Sequence, residues 1–198
     1  STEVYSVPTA TEVEITSRKR KREEMSKSKK EVSIGEIQYT AILLIVSALD
    51  KCFRHDAEGF MNDATKVDII LQPLVDQLTN LKDDSEEDEE RYNIRGAAIA
   101  HCLGNMASVI PQTNWKALQT QVLQKTQHTT SPIKCAAISS LMAMYGTVGQ
   151  EFVAMLPELL PYLAELLEDN DEVVVKQTQK LVQKVEDSCG EDLSRYMK

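Results

Sequence analysis

The sequence predicts an all-α chain of stacked helical hairpins behind a polar, basic leader. Three observations predict it. A short phrase recurs, a branched aliphatic and a basic residue opening an apolar helical stretch: Ile94-Arg95-Gly96-Ala97-Ala98-Ile99, Ile133-Lys134-Cys135-Ala136-Ala137-Ile138 and, more loosely, Val175-Lys176-Gln177-Thr178-Gln179. Its basic residues lie 39 and 42 positions apart, the period of HEAT or armadillo repeats, in which each unit is one helical hairpin. Composition agrees, because 42% hydrophobic residues supply a core while seven Gly and six Pro leave little for a loop-rich all-β fold. The expectation is a HEAT/armadillo-like helical-repeat solenoid, an α-α superhelix. Such arrays present extended surfaces that hold other molecules.

Residues 1–33 carry no period that persists and are rich in Ser, Thr, Glu and Lys, so they read as a disordered leader. Within it Arg18, Lys19, Arg20, Lys21 and Arg22 form an unbroken run of cations, with Lys27, Lys29 and Lys30 close behind. That pattern reads as a nuclear import signal, whose side chains lie in the acidic grooves of an import receptor. A solubilising linker and nonspecific RNA contact are the other readings. The leader holds eight basic and six acidic residues, which leaves the remainder of the chain at −11 of the total −9. A body so acidic disfavours broad contact with phosphate backbones.

Helices follow from residue 34, so the chain divides into the leader, 1–33, and a helical-repeat segment, 34–198. Ser33 and Glu36 have capping-box spacing, and Ile37, Ala41, Leu44, Ile45, Ala48 and Cys52 form the expected inward stripe of the first helix. The second starts near Asp63 with Val67, Ile70, Leu74, Leu78 and Leu81 on one face and Pro73 inside it. Next comes Asp83-Asp84-Ser85-Glu86-Glu87-Asp88-Glu89-Glu90. It reads as a solvated loop whose last acids favour the next helix N-terminus; a sharper reading makes Ser85 a kinase target or the run a contact for a basic partner.

The third helix, from about Arg91, carries Ile99, Cys102, Leu103, Met106 and Ile110; the fourth, from Asn114, carries Trp115, Leu118 and Val122. Ser131-Pro132 opens the fifth as a cap followed by proline, with Ile133, Ala137, Leu141, Met144 and Val148 inward. The sixth holds Phe152, Leu156, Leu159, Leu160, Leu163, Leu166 and Leu167 with Pro161 inside. Asn170-Asp171 starts the seventh, Gly190 ends it, and a short final helix is expected from Glu191. Pairing gives hairpins at 63–110, 113–148 and 151–188, with the helix at 34–55 left as the second half of a hairpin. Ser1 in place of Met and that unpaired helix together suggest a fragment or processed form of a longer array.

No constellation for chemistry emerges. His55, His101 and His128 are scattered, and the four cysteines show no CxxC pair, so neither a metal site nor a cofactor is expected. Free thiols among apolar helix positions point to a reducing, intracellular compartment. His101 and Cys102 are adjacent on a helix and point apart, which excludes a base–nucleophile pair. No window reaches the roughly 20 apolar residues of a membrane helix, and the first 33 residues lack a secretory pattern. Arg95, Lys134 and Lys176 are expected to bridge to acids in neighbouring turns, such as those at 169–171.

The stretch Trp115-Lys116-Ala117-Leu118-Gln119-Thr120-Gln121-Val122-Leu123, then Gly149-Gln150-Glu151-Phe152, then Leu156 to Asp169, resembles one family more closely than a generic repeat. Val182-Gln183-Lys184-Val185-Glu186, Gly190-Glu191 and Leu193-Ser194-Arg195-Tyr196 extend the match. It is similar to the C-terminal region of the large HEAT-repeat, U3 small nucleolar RNA-associated proteins of the small-subunit processome. The resemblance implies a non-enzymatic nucleolar scaffold that assembles on pre-ribosomal RNA and supports its processing and transcription. It implies processome protein subunits and the U3 snoRNA/pre-rRNA ribonucleoprotein as partners, in the nucleus and nucleolus, but carries no binding residue onto a position here. The alternative is a nuclear HEAT-repeat adaptor grasping a peptide or protein outside ribosome biogenesis, which predicts a ladder of exposed Asn, Trp or acidic residues on successive second helices.

Overall fold

The computed structural model describes residues 34–81, 89–190 and 192–193, and the chain divides into two compact units, 1–40 and 41–198. The described part of the first, residues 34–40, is the opening of a helix in which the Thr40 hydroxyl donates to the Glu36 carbonyl at 2.9 Å. Everything below concerns the second unit.

Among the described residues there are seven α-helices and no strand: α1 (Ile34–Arg54), α2 (Ala64–Asp76), α3 (Glu89–Val109), α4 (Gln112–Thr126), α5 (Ser131–Val148), α6 (Leu156–Leu167) and α7 (Glu172–Cys189), with 3-10 turns at Phe60–Asn62, Thr79–Leu81 and Gly149–Met155. The hairpins are α2–α3, α4–α5 and α6–α7, as the period predicts. Their first helices stack as α2, α4, α6 and their second helices as α3, α5, α7. This is the layered packing of a HEAT-like repeat, in which each hairpin buries its apolar face on its neighbours.

Helix starts follow local chemistry. Asp63 caps α2 by accepting from the Thr65 N–H at 3.0 Å, and Asp171 caps α7 by accepting from Val173 at 2.8 Å. Gly190 ends α7 at φ 72°, left-handed backbone that its missing Cβ allows, with its N–H donating to the Glu186 carbonyl. Ser131 is not the cap expected of it; Thr130 holds that place, with its hydroxyl paired to the His128 Nδ1 and making no cap bond to the helix. Pro73 and Pro161 sit on exposed positions inside α2 and α6, where the carbonyl freed by each missing N–H can be met by water. The final helix expected from Glu191 lies outside the described residues, except that Leu193 is fully buried and its N–H donates to the Glu186 carboxylate at 2.9 Å.

The core runs through all three hairpins, from Leu74 and Leu78 through Ile99, Leu103 and Met106 to Leu123, Leu141, Leu163 and Leu181, all nearly inaccessible. An aromatic node closes the middle. Trp115 and Tyr145 both meet Phe152 edge-on, at 5.3 and 4.9 Å between centroids, and the indole N–H donates to the Ala107 carbonyl at 2.8 Å. Edge-to-face pairs of this kind add about 0.5–1.5 kcal/mol each beyond area burial.

One expected face is wrong. On α1 the inward residues are Val46, Asp50 and Phe53, with Ile42 and Leu49 half-buried, whereas Ala41, Leu44, Ile45, Ala48 and Cys52 face solvent. The helix carries apolar residues on two sides, and its neighbour α3 meets the side that carries the Asp50 carboxylate.

Candidate functional site

The import-signal residues Arg18, Lys19, Arg20, Lys21 and Arg22 and the phosphoacceptor candidate Ser85 lie outside the described residues. The surfaces the structure does build are polar links between repeats and one bare apolar face.

Polar links join successive hairpins. Asp50 of α1, only 8% exposed, accepts from Asn105 of α3 at 2.6 Å, lies 2.9 Å from the His101 Nδ1, and receives the Arg54 guanidinium on its other oxygen. Burial pushes this carboxyl up, and the bonds from His101, Asn105 and Arg54 outweigh burial and hold it below the usual carboxylate range. Lys125 of α4 reaches back to Asp76 of α2 at 2.8 Å, and Lys116 reaches forward to Glu158 of α6 at 2.9 Å. Lys134 meets Asp169 at 2.5 Å, and Gln177 of α7 donates to the Ser139 hydroxyl of α5 at 3.0 Å. The hydrogen bonds from Lys125 and Lys134 hold Asp76 and Asp169 below their ordinary values.

The three basic residues of the recurring phrase therefore have separate partners. Lys134 bridges forward to the turn before α7, as expected. Arg95 bonds the Asn80 carbonyl of its own hairpin at 2.7 Å, and Lys176 pairs with Glu172 on its own helix at 3.1 Å. Of these only Lys176–Glu172 is an exposed pair, which stabilises by at most about 1 kcal/mol.

Nothing in these clusters is arranged for catalysis. Cys102 is fully buried, and burial, followed by the charge of Asp50, pushes its thiol up to about 12. A thiol this hard to ionise packs as a hydrophobe, while His101 turns outward to Asp50. Among the described residues no group of His, Cys, Asp and Glu is placed to hold a metal ion, and no helix is long and apolar enough to cross a membrane.

The bare face lies on α1 and α2. Leu44, Ile45 and Ile69 are exposed by 67%, 60% and 68%. A groove of about 530 Å³ is lined by Leu49, Cys52 and Phe53 of α1 and by Phe60, Met61 and Ile70. Sequence reasoning assigned the α1 residues to the core. Their helical spacing was legible, but nothing in the spacing says whether a partner covers them.

Comparison with known proteins fits this architecture. Residues 64–197 match the family described as "Stalled ribosome sensor GCN1-like, HEAT repeats". The chain is 33% identical over 153 residues to HEAT repeat-containing protein 1 of Danio rerio, covering 77% of this chain and 7% of that protein. It is 30% identical over 167 residues to the Drosophila melanogaster homologue, covering 84% and 8%, and 30% identical over 156 residues to U3 small nucleolar RNA-associated protein 10 of Scheffersomyces stipitis, covering 78% and 8%. The chain thus spans less than a tenth of the length of these relatives. With a recurring hairpin, stacked first and second helices, and a family match running from α2 through α7, the chain belongs to the GCN1-like HEAT-repeat family.

Proposed function

We propose that the chain is a non-enzymatic scaffold segment acting in nucleolar assembly of the small ribosomal subunit, through the U3 small nucleolar ribonucleoprotein and pre-rRNA processing. One observation carries this reading: relatives at 30% identity over about three quarters of the chain bear the name U3 small nucleolar RNA-associated protein. The repeat fold alone supports only a binding module, because one fold hosts many functions. The acidity of the helical segment favours protein subunits of the processome as its direct contacts. In the same reading Arg18–Arg22 engages an import receptor, Ser85 accepts phosphate within its acidic run, and support of rDNA transcription follows from the assembly.

Affinity purification of the tagged chain from nuclear extract, with protein and RNA both sequenced, tests it. Co-recovery of processome subunits with U3 RNA and pre-rRNA is the expected result. Recovery of import receptors without any ribosomal precursor overturns the ribosomal assignment. Replacing Arg20 and Lys21 by Ala is expected to move a fluorescent fusion from the nucleus to the cytoplasm, and unchanged nuclear signal sinks the import role of this run.

A further inference from the structure

Ser131-Pro132 is the one place in the sequence where a serine or threonine precedes a proline, and Lys134 stands three positions after the serine. Serine, proline, any residue, then a basic one is the pattern read by proline-directed kinases of the cyclin-dependent class. The structure leaves this serine available. The helix cap is Thr130, so the Ser131 hydroxyl is not spent on closing the first turn of α5. Ser131 is half-buried, Thr129 and Pro132 are exposed, and residues 128–130 form a non-helical turn between α4 and α5.

The surroundings of that hydroxyl give its modification an effect. Lys134 lies one turn further along the same side of α5. Its ammonium meets Asp169 at 2.5 Å, with only 19% and 12% of the two side chains exposed. The other Asp169 oxygen accepts the Asp171 N–H at 2.9 Å, and Asp171 in turn caps α7. Both carboxylates face the start of α5. The Cys135 thiol is pushed up by burial and then by the charges of Asp171 and Asp169. The Ser131 side chain is first among the groups that hold the Asp171 carboxyl below its ordinary value, ahead of the Val173 N–H. Lys134 thus ties the turn before α7 to the first turn of α5.

We propose that Ser131 is a phosphorylation site for a proline-directed kinase, and that its phosphate takes Lys134 from Asp169 and so loosens the last hairpin from α5. The kinase reaches the segment when the first turn of α5 frays, since Ile133 is buried in the closed helix and helix ends open most readily. The Ser131 oxygen attacks the γ-phosphorus of ATP, the bond from that phosphorus to the ADP oxygen breaks, and the hydroxyl proton passes to the kinase's catalytic base. Phosphoserine and ADP are the products. The phosphate carries about −1.5 to −2 at neutral pH. One turn from Lys134 it is a stronger partner than a single carboxylate, and it repels Asp169 and Asp171 at the same time. The inference concerns the stacking of α5 and α7, so it stands whether or not the chain acts in ribosome assembly.

The test incubates the full chain with ATP and a purified cyclin-dependent kinase with its cyclin, and maps phosphate by mass spectrometry. Labelling is expected at Ser131 and is expected to disappear in Ser131→Ala and in Pro132→Ala, with the urea midpoint of Ser131→Ala reporting that the fold is kept. Hydrogen exchange in the first turn of α7 is expected to quicken by about tenfold in the phosphorylated chain, while α2 and α3 keep their protection. Asp169→Asn, which removes the same pairing without phosphate, is expected to reproduce that change. A folded chain left unlabelled at Ser131 overturns the proposal, even where a peptide of residues 125–137 is labelled. Equal labelling of Pro132→Ala overturns it too, because the kinase is then not reading the proline. So does a phosphorylated chain in which the first turn of α7 exchanges at the unmodified rate.

Discussion

Asp50 is a buried carboxylate in an otherwise apolar helix face, and its three donors come from two repeats. Arg54 donates to one carboxylate oxygen and Asn105 to the other, so Asn in place of Asp50 keeps the shape but sets its N–H₂ against one of these donors, and Asp50→Asn is expected to cost about 1–3 kcal/mol, read as a lower urea midpoint. The pH dependence follows from the direction of its shift. Its folded pKa lies below the ordinary 3.8, so the stabilisation is fully present above the unfolded value and is lost as pH falls through the folded one. The difference between wild type and Asp50→Asn is therefore expected to shrink below about pH 4; a difference that stays constant down to pH 2 contradicts the assignment. Asp50 was not singled out in the sequence because its partners sit about fifty residues away, on α3.

At the scale of elements, α3 approaches α5 tightly at Gly104. Within a helix, Gly to Ala ordinarily stabilises by about 1 kcal/mol. Here the new methyl would lie 2.9 Å from the Ala143 Cβ and 3.0 Å from that residue's backbone carbon and oxygen. The backbone cannot step aside as a flexible side chain would, so overpacking wins and Gly104→Ala is expected to destabilise by about 1–3 kcal/mol. A variant more stable than wild type in urea would refute that sign. Helix existence was legible from periodicity for all seven elements, and capping chemistry located two starts, Asp63 and Asp171. The turn after α1 was not legible: Asp56 accepts from the Phe60 and Met61 N–H groups at 2.7 and 2.9 Å, and Gly59 adopts φ 68°. Those bonds depend on the path the loop takes toward α2.

At the scale of the whole 41–198 unit, stability is a sum over hairpins and their interfaces, because each contacts only its neighbours. Damage should then stay local. Leu181 is fully buried in α7, and Leu181→Ala is expected to cost about 2–5 kcal/mol. Hydrogen exchange should quicken across α6 and α7 while α2 and α3 keep their protection, since opening the last hairpin leaves the first stacked on its neighbour. Equal loss of protection at both ends would show one cooperative core in place of a repeat array. The exposed link Lys116–Glu158 contributes little to this sum.

By itself the sequence determined the fold class, the order of the seven helices among the described residues and the hairpin pairing. Each of these depends on local period, capping or recurrence along the chain. Tertiary structure alone decided which face of α1 is inward, where Arg95 and Lys176 bond, and how closely α3 approaches α5. A helix with apolar residues on two sides, such as α1, satisfies the same periodicity whichever side is buried. The choice belongs to the neighbour that packs first, and only the three-dimensional arrangement contains that neighbour.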